Sequence, residues 1–244
     1  MGSIAILLAS GPAWADVAFD AATAIAETIS DISQSHTPSG TPRAVIACVY
    51  DEHPTTATDP VSGTPTYGGV SMTEVTNSPL LYDPGPDEVA VAVFFLGSNV
   101  PTGTQTFAAT IGTGVSGVAG SIITLTASSD TEVVNTVAST QNDTDDPSVS
   151  LGLLGRTSFV AQCVAGGAND VPGLWSPLTN WTAIEEVDIT DAGGLSYRYD
   201  IIGSTDVTCG GQTTAATDSA ILCYAISEVQ ATGAASRGPL LGVW

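Results

Sequence analysis

The chain is sparing with residues that could do chemistry. It has two histidines: His36, beside Thr37 and Pro38, and His53, in a Pro-containing stretch. Nucleophilic catalysis needs an oriented base beside an activated hydroxyl or thiol, and no GxSxG elbow, HExxH pair, P-loop or dinucleotide fingerprint occurs in the sequence. His36 therefore reads as a hydrogen-bonded structural residue. Glu185 and Glu186 are adjacent, and neighbours in a strand point to opposite faces, so the two do not make a glycosidase carboxylate pair. Asp143, Asp145 and Asp146, in the run from Asn142, offer oxygen ligands to calcium. The run lacks the spacing and distal Glu of an EF-hand, so a solvated loop is expected. Trp175, Trp181 and the terminal Trp244 could stack on sugar rings, but loop tryptophans more often pack in sandwich ends or at interfaces. No catalytic residue, cofactor or metal site is expected.

Charge narrows the partners. There are 25 acidic side chains against four arginines (Arg43, Arg156, Arg198 and Arg237), no lysine, and a net charge of -21. Such a surface repels phosphate backbones and anionic lipid, which argues against nucleic acid and membrane as partners. No apolar stretch is long enough to span a bilayer as a helix. The four cysteines form no CxxC pair, which argues against a zinc ribbon. Cys48, Cys163 and Cys223 lie in apolar strand-like runs and read as buried, reduced thiols. Cys209, in a Gly-rich stretch read as a turn, is expected to be more exposed, with one disulfide involving it left open.

Short β-branched segments separated by Gly, Pro, Asn and Asp must position these residues. The segment 88–96 (EVAVAVFFL) is nearly all apolar, as a strand buried on both faces would be. Residues 104–111 and 220–229 alternate. With 244 residues and 43% hydrophobic composition, the chain is expected to fold as an all-β, antiparallel β-sandwich, jelly-roll-like, with a single domain over 16–244. Residues 1–15 imitate a signal peptide but lack a basic n-region. They read instead as an N-terminal arm, with Ile4, Ile6, Leu7, Leu8 and Trp14, together with Trp244, as candidate assembly contacts.

Four stretches in order carry a family resemblance: Ser35-His36-Thr37 followed by Arg43-Ala44-Val45-Ile46; Thr66 to Val75; Val89 to Phe95; and Pro101 to Thr106. Across Asp16 to about Thr126 the chain resembles β-sandwich virion proteins of tailed bacteriophages, with relatives among bacterial secreted proteins. The chain departs from that pattern in its N-terminal arm and in having no aromatic just before Ser35. Phe19, Ala22, Ile25, Ile29 and Ile32 fall at helical spacing, although Ile25 and Ile29 also fit a strand. The resemblance implies strands over 16–33, and that reading is followed here.

The resemblance supplies no catalytic residues. It implies a non-enzymatic virus structural protein, a capsid decoration protein at the virion surface, with head-fibre or tail-associated roles as neighbours. Its partners would be itself, as a trimer, and other virion proteins such as the major capsid protein. The alternative is a receptor- or glycan-binding module of a tail fibre or bacterial surface protein, with Trp175 and Trp181 as its aromatics.

Overall fold

The computed structural model describes residues 17–53, 57–83, 88–115, 117–144, 147–166, 176–179, 181–189, 192–199, 206–212 and 217–230. These are strands and their connections, with no helix among them. In chain order the strands of the N-terminal half are β1 (Ala18–Thr28), β2 (Ile32–His36), β3 (Ala44–His53), β4 (Val61–Tyr67), β5 (Val70–Ser71), β6 (Thr73–Glu74), β7 (Leu80–Tyr82), β8 (Glu88–Leu96), β9 (Gln105–Ile111) and β10 (Val118–Thr126). Those of the C-terminal half are β11 (Thr131–Thr144), β12 (Ser148–Leu151), β13 (Phe159–Gly166), β14 (Ser176–Pro177), β15 (Thr182–Ile189), β16 (Ala192–Tyr199), β17 (Val207–Gln212) and β18 (Thr217–Glu228).

The N-terminal half forms two antiparallel sheets, β1-β10-β3-β8-β6, with β7 also on β8, and β2-β9-β4-β5. First strand beside last, and second beside penultimate, is the strand order of a jelly roll. The C-terminal half repeats it, as β11-β18-β13-β16-β15 and β12-β17-β14. The larger sheets of the two halves stack face to face, and each carries its own smaller sheet on its outer face. The expected sandwich is thus present twice, in four layers bound by a shared central core.

That stacking explains the sequence. The long apolar runs of β3, β8 and β18, and β13 with Gln162 as its one polar residue, belong to the two inner sheets, whose faces are both covered. In β3, Ile46 and Cys48 face the other half, while Val45, Ala47 and Val49 face their own outer sheet. Burial of 0% for every residue from Ala44 to Val49 follows. Over 17–33 the chain forms β1, a bend and the start of β2, not a helix. Most of β1 is half-buried and Ile29, in the bend, is 74% exposed, so its apolar spacing comes from two covered faces rather than one helical stripe.

Across the central core, β1 lies over β15, β10 over β15 and β16, β3 over β16 and β13, β8 over β13 and β18, and β7 over β18. The β1–β15 seam is matched by one between residues 73–77 and β11. Exchanging the halves, strand for equivalent strand, returns the same set of pairs, so an approximate two-fold axis runs along the strands between β3 and β13.

Two disulfides correct the reading of reduced thiols. Cys48 bonds to Cys163 across the central core, and Cys209 bonds to Cys223 between the two sheets of the C-terminal half. Burial was read correctly for Cys48, Cys163 and Cys223, but the partners stand on facing layers, at sequence separations of 115 and 14. Cys209 is itself fully buried in β17. The glycine after it does not make a turn: a Cβ at Gly210 (φ +138°) would sit 2.0 Å from the Pro147 carbonyl oxygen, so Gly permits close strand approach.

Candidate functional site

His36 ends β2 inside the N-terminal sandwich and is 1% exposed. Its Nδ1 lies 2.8 Å from Thr23 Oγ1 and its Nε2 3.1 Å from Thr124 Oγ1. Thr124 donates its proton to Asp20 Oδ2 at 2.8 Å, and Asp20 Oδ1 accepts the Gly40 amide at 2.7 Å. Since Thr124 spends its only proton on Asp20, it accepts from His36 Nε2–H, and Nδ1 accepts from Thr23. The hydrogen-bond pattern thus assigns a neutral Nε2–H ring. Burial pulls the His36 pKa below its ordinary value, and the Asp20 charge pulls back only in part. Both nitrogens are engaged and the ring is enclosed, so His36 fixes the connection that follows it. Tyr67 packs near the ring, with centroids 6.1 Å apart, and its phenol is pushed up to about 12, first by burial and then by Asp20.

The remaining residues singled out in the sequence do not converge. His53 pairs in register with Glu88 at the far end of β3. Asp143 stands near the end of β11. Glu185 and Glu186 sit opposite Ser196 and Leu195 in β15. Trp181 is 7% exposed, packs in the core of the C-terminal sandwich, and donates its indole N–H to the Thr208 carbonyl at 3.0 Å. It presents no open ring face to a sugar. Ile4, Ile6, Leu7, Leu8, Trp14, Asp145, Asp146, Trp175 and Trp244 lie outside the described residues.

A feature the sequence did not reveal is a cleft of about 410 Å³ on the seam between residues 73–77 and β11. Phe95, Val75 and Val133 line it together with Glu74, Asn77 and Thr136. Asn77 Nδ2 donates across the seam to Thr136 Oγ1 at 2.9 Å. Glu74 accepts the Ser78 hydroxyl at 2.8 Å, and burial raises its pKa. The lining brings one carboxyl group, whereas glycoside hydrolysis uses two flanking the bond. No signal in the sequence could have found this cleft, because it forms between halves whose packing has no local pattern. Among the described residues no group of His, Cys, Asp and Glu is arranged to hold a metal ion.

Fold and geometry define an all-β protein of two antiparallel sandwiches with jelly-roll strand order, welded back to back. Comparison with family models, with curated proteins and with solved structures finds no match to the chain.

Proposed function

We propose that the chain is a non-enzymatic structural protein of a virus particle, acting as a capsid decoration protein of a tailed virus. The observation that supports this best is the welded double body: two sandwiches share a core and are cross-linked by Cys48–Cys163 at its centre. Disulfides persist in oxidising surroundings such as a particle surface. Jelly rolls recur among capsid and lectin domains, although a fold alone does not assign a function. The high negative charge keeps a crowded surface component soluble. Burial of Trp181 removes one of the two aromatics on which the glycan-binding reading leaned.

Copy number in purified particles tests the proposal. Hundreds of copies per particle are expected of a decoration protein, a handful would place the chain on a tail or fibre, and none would overturn the reading. We further propose that it assembles as a homotrimer. Light scattering that gives a monomer both for the free protein and for protein extracted from particles would overturn that part.

A further inference from the structure

The cleft on the seam between the halves combines an apolar floor with a single ionisable side chain, Glu74. Val75 and Phe95 come from the N-terminal half and Val133 from β11, so the floor exists only where the halves meet. The Phe95 ring lies against the backbone at Gly97. A Cβ there would stand 2.5 Å from its Cε1 and Cζ and 2.2 Å from the Thr131 carbonyl oxygen. Glycine is what lets the ring and the start of β11 approach so closely. Glu74 and Asn77 stand exposed at the rim.

The rim is held in place by the protein itself. Glu74 Oε1 accepts the Ser78 hydroxyl at 2.8 Å, and Ser78 Oγ accepts the Val93 amide at 2.9 Å. This ties the carboxylate to β8 and leaves Oε2 to a ligand. Asn77, in the left-handed region at φ 69°, joins the two halves through its bond to Thr136. Asn135 donates to the Gly152 carbonyl and accepts the Thr136 amide. A sugar asks for several donors and acceptors at once, yet both amide side chains are already engaged. No arginine stands in the lining to neutralise Glu74. Burial is the largest influence on its pKa and raises it, the Ser78 hydrogen bond opposes, and the Asp59 charge adds to the rise. What remains is a fixed carboxylate beside apolar surface, and pre-ordered groups lose little entropy when something binds them.

We infer that this cleft binds an organic ammonium ion with an apolar stem, its –NH3+ group on Glu74 Oε2 and its stem along Val75, Phe95 and Val133. A charge-assisted hydrogen bond to the carboxylate holds the cationic end, and burial of the stem removes apolar surface from water on both partners. The cleft, at about 410 Å³, is of the size that small ligands occupy. The net charge of -21 draws cations to the whole surface. The apolar floor beside the carboxylate is what selects one with a hydrocarbon stem over a bare inorganic cation. A free alkylamine and the Lys side chain of another protein share this chemistry. The site stands whether or not the chain belongs to a virus particle.

The test is an amide-resolved NMR titration of the full chain at constant ionic strength, with n-hexylammonium, with the uncharged hexan-1-ol and with Nα-acetyl-lysine N-methylamide. Hexylammonium is expected to shift the amides of 74–77 and 133–136 saturably, and hexan-1-ol to bind about tenfold more weakly or worse, as loss of a charged hydrogen bond implies. Glu74→Gln, which keeps the side chain's shape and its acceptor for Ser78, should remove the preference for the amine. Asp83→Asn, which deletes a carboxylate beyond the far end of β8, should leave it unchanged. Both variants are first shown to keep the wild-type far-UV spectrum and melting behaviour, and the amine–alcohol comparison on the wild type needs no variant at all. Tighter binding of the lysine derivative than of hexylammonium supports the site with a protein Lys as its source, and the reverse supports it with a free amine. Equal binding of amine and alcohol, equal amine affinity in wild type and Glu74→Gln, or no saturable shift at these residues would overturn the inference.

Discussion

Where the N-terminal half places His36, the C-terminal half places Leu151, each twelve residues ahead of its half's cysteine in the central disulfide. The strand register extends the match. Thr23 pairs with Ile122 as Val137 pairs with Cys223, and Ile122 and Cys223 each face the residue preceding that cysteine. By the same reckoning Thr124 corresponds to Ala225 and Phe107 to Cys209. One half fills these places with His, Thr and Thr around a buried hydrogen-bond network, the other with Leu, Val and Ala in an apolar core. The jelly roll therefore does not need the network. What the network adds is a fixed connection at residues 37–43, through Asp20 and Gly40. The second contrast concerns the outer sheets. The four-stranded one is anchored by Phe107, buried over Ile122, whereas the three-stranded one has Cys209 bonded to Cys223 at the same two places. A smaller core gains more from a covalent staple.

Breaking the weld should have the largest effect. Replacing Cys48 and Cys163 together by Ala opens a long loop, for which chain entropy gives about 4–5 kcal/mol, against about 3 kcal/mol for a loop the length of Cys209–Cys223. Chemical denaturation of the two double variants should rank them in that order. Intact mass after alkylation under denaturing, non-reducing conditions should show no labelled cysteine in the wild type. Any label on Cys48 or Cys223 refutes the pairing.

Phe107→Ala comes next, with an expected loss of about 3–5 kcal/mol, typical of a buried aromatic truncated in a close-packed core. Denaturant midpoints compared with and without reductant sharpen the contrast. Added reductant should lower the stability of both proteins, while the Phe107→Ala increment stays the same, because Phe107 serves the half that has no internal disulfide.

Much of this architecture was legible in the sequence. Glu88–Leu96 was apparent as a doubly buried strand because β-branched and aromatic residues run through it without alternation. The duplication was not. Val45, Cys48 and Val49 recur as Val160, Cys163 and Val164, but three matches in a short strand are what burial alone produces. The rest of the repeat is carried by strand order, which side-chain identity does not record. The cysteine pairing was hidden for a related reason, since periodicity shows which face a residue occupies and not which layer faces it.

Transplanting one half's solution into the other is the third test. His36→Leu alone strips Thr23 and Thr124 of their shared partner and should cost about 1–3 kcal/mol. Adding Thr23→Val and Thr124→Ala should recover part of that loss, while hydrogen exchange at Gly40 quickens as Asp20 loses Thr124. The pH dependence has a definite sign. Burial holds the folded His36 below 6.5, so on acidification the unfolded chain takes up a proton that the folded one does not. Stability should therefore fall as the pH drops from about 6.5 toward the folded value, and His36→Leu should remove that component. An unchanged profile in His36→Leu would mean the ring titrates normally in the folded protein, and the network is looser than drawn.

The smallest effect lies in the shared core. Tyr224 and Ile123 occupy matching places in β18 and β10, one facing Ala161 and the other Ile46, each two residues ahead of its half's cysteine. The Ile123 side needs no polar partner, while the Tyr224 hydroxyl is buried among apolar side chains without a hydrogen-bond partner. Burying such a group costs free energy that nothing nearby returns, so Tyr224→Phe should stabilise the protein by about 1 kcal/mol or be neutral. The same burial pushes the phenol well above its ordinary value of 10.0. Above about pH 10 the unfolded chain therefore releases a proton that folded Tyr224 keeps, and stability declines as the pH rises. Tyr224→Phe should make that alkaline decline shallower, leaving the share due to Tyr67 on the other side of the inner sheet. A loss of more than about 1 kcal/mol in Tyr224→Phe would mean that the hydroxyl does have a partner. The two halves would then differ at this place by a polar contact rather than by an unpaired hydroxyl.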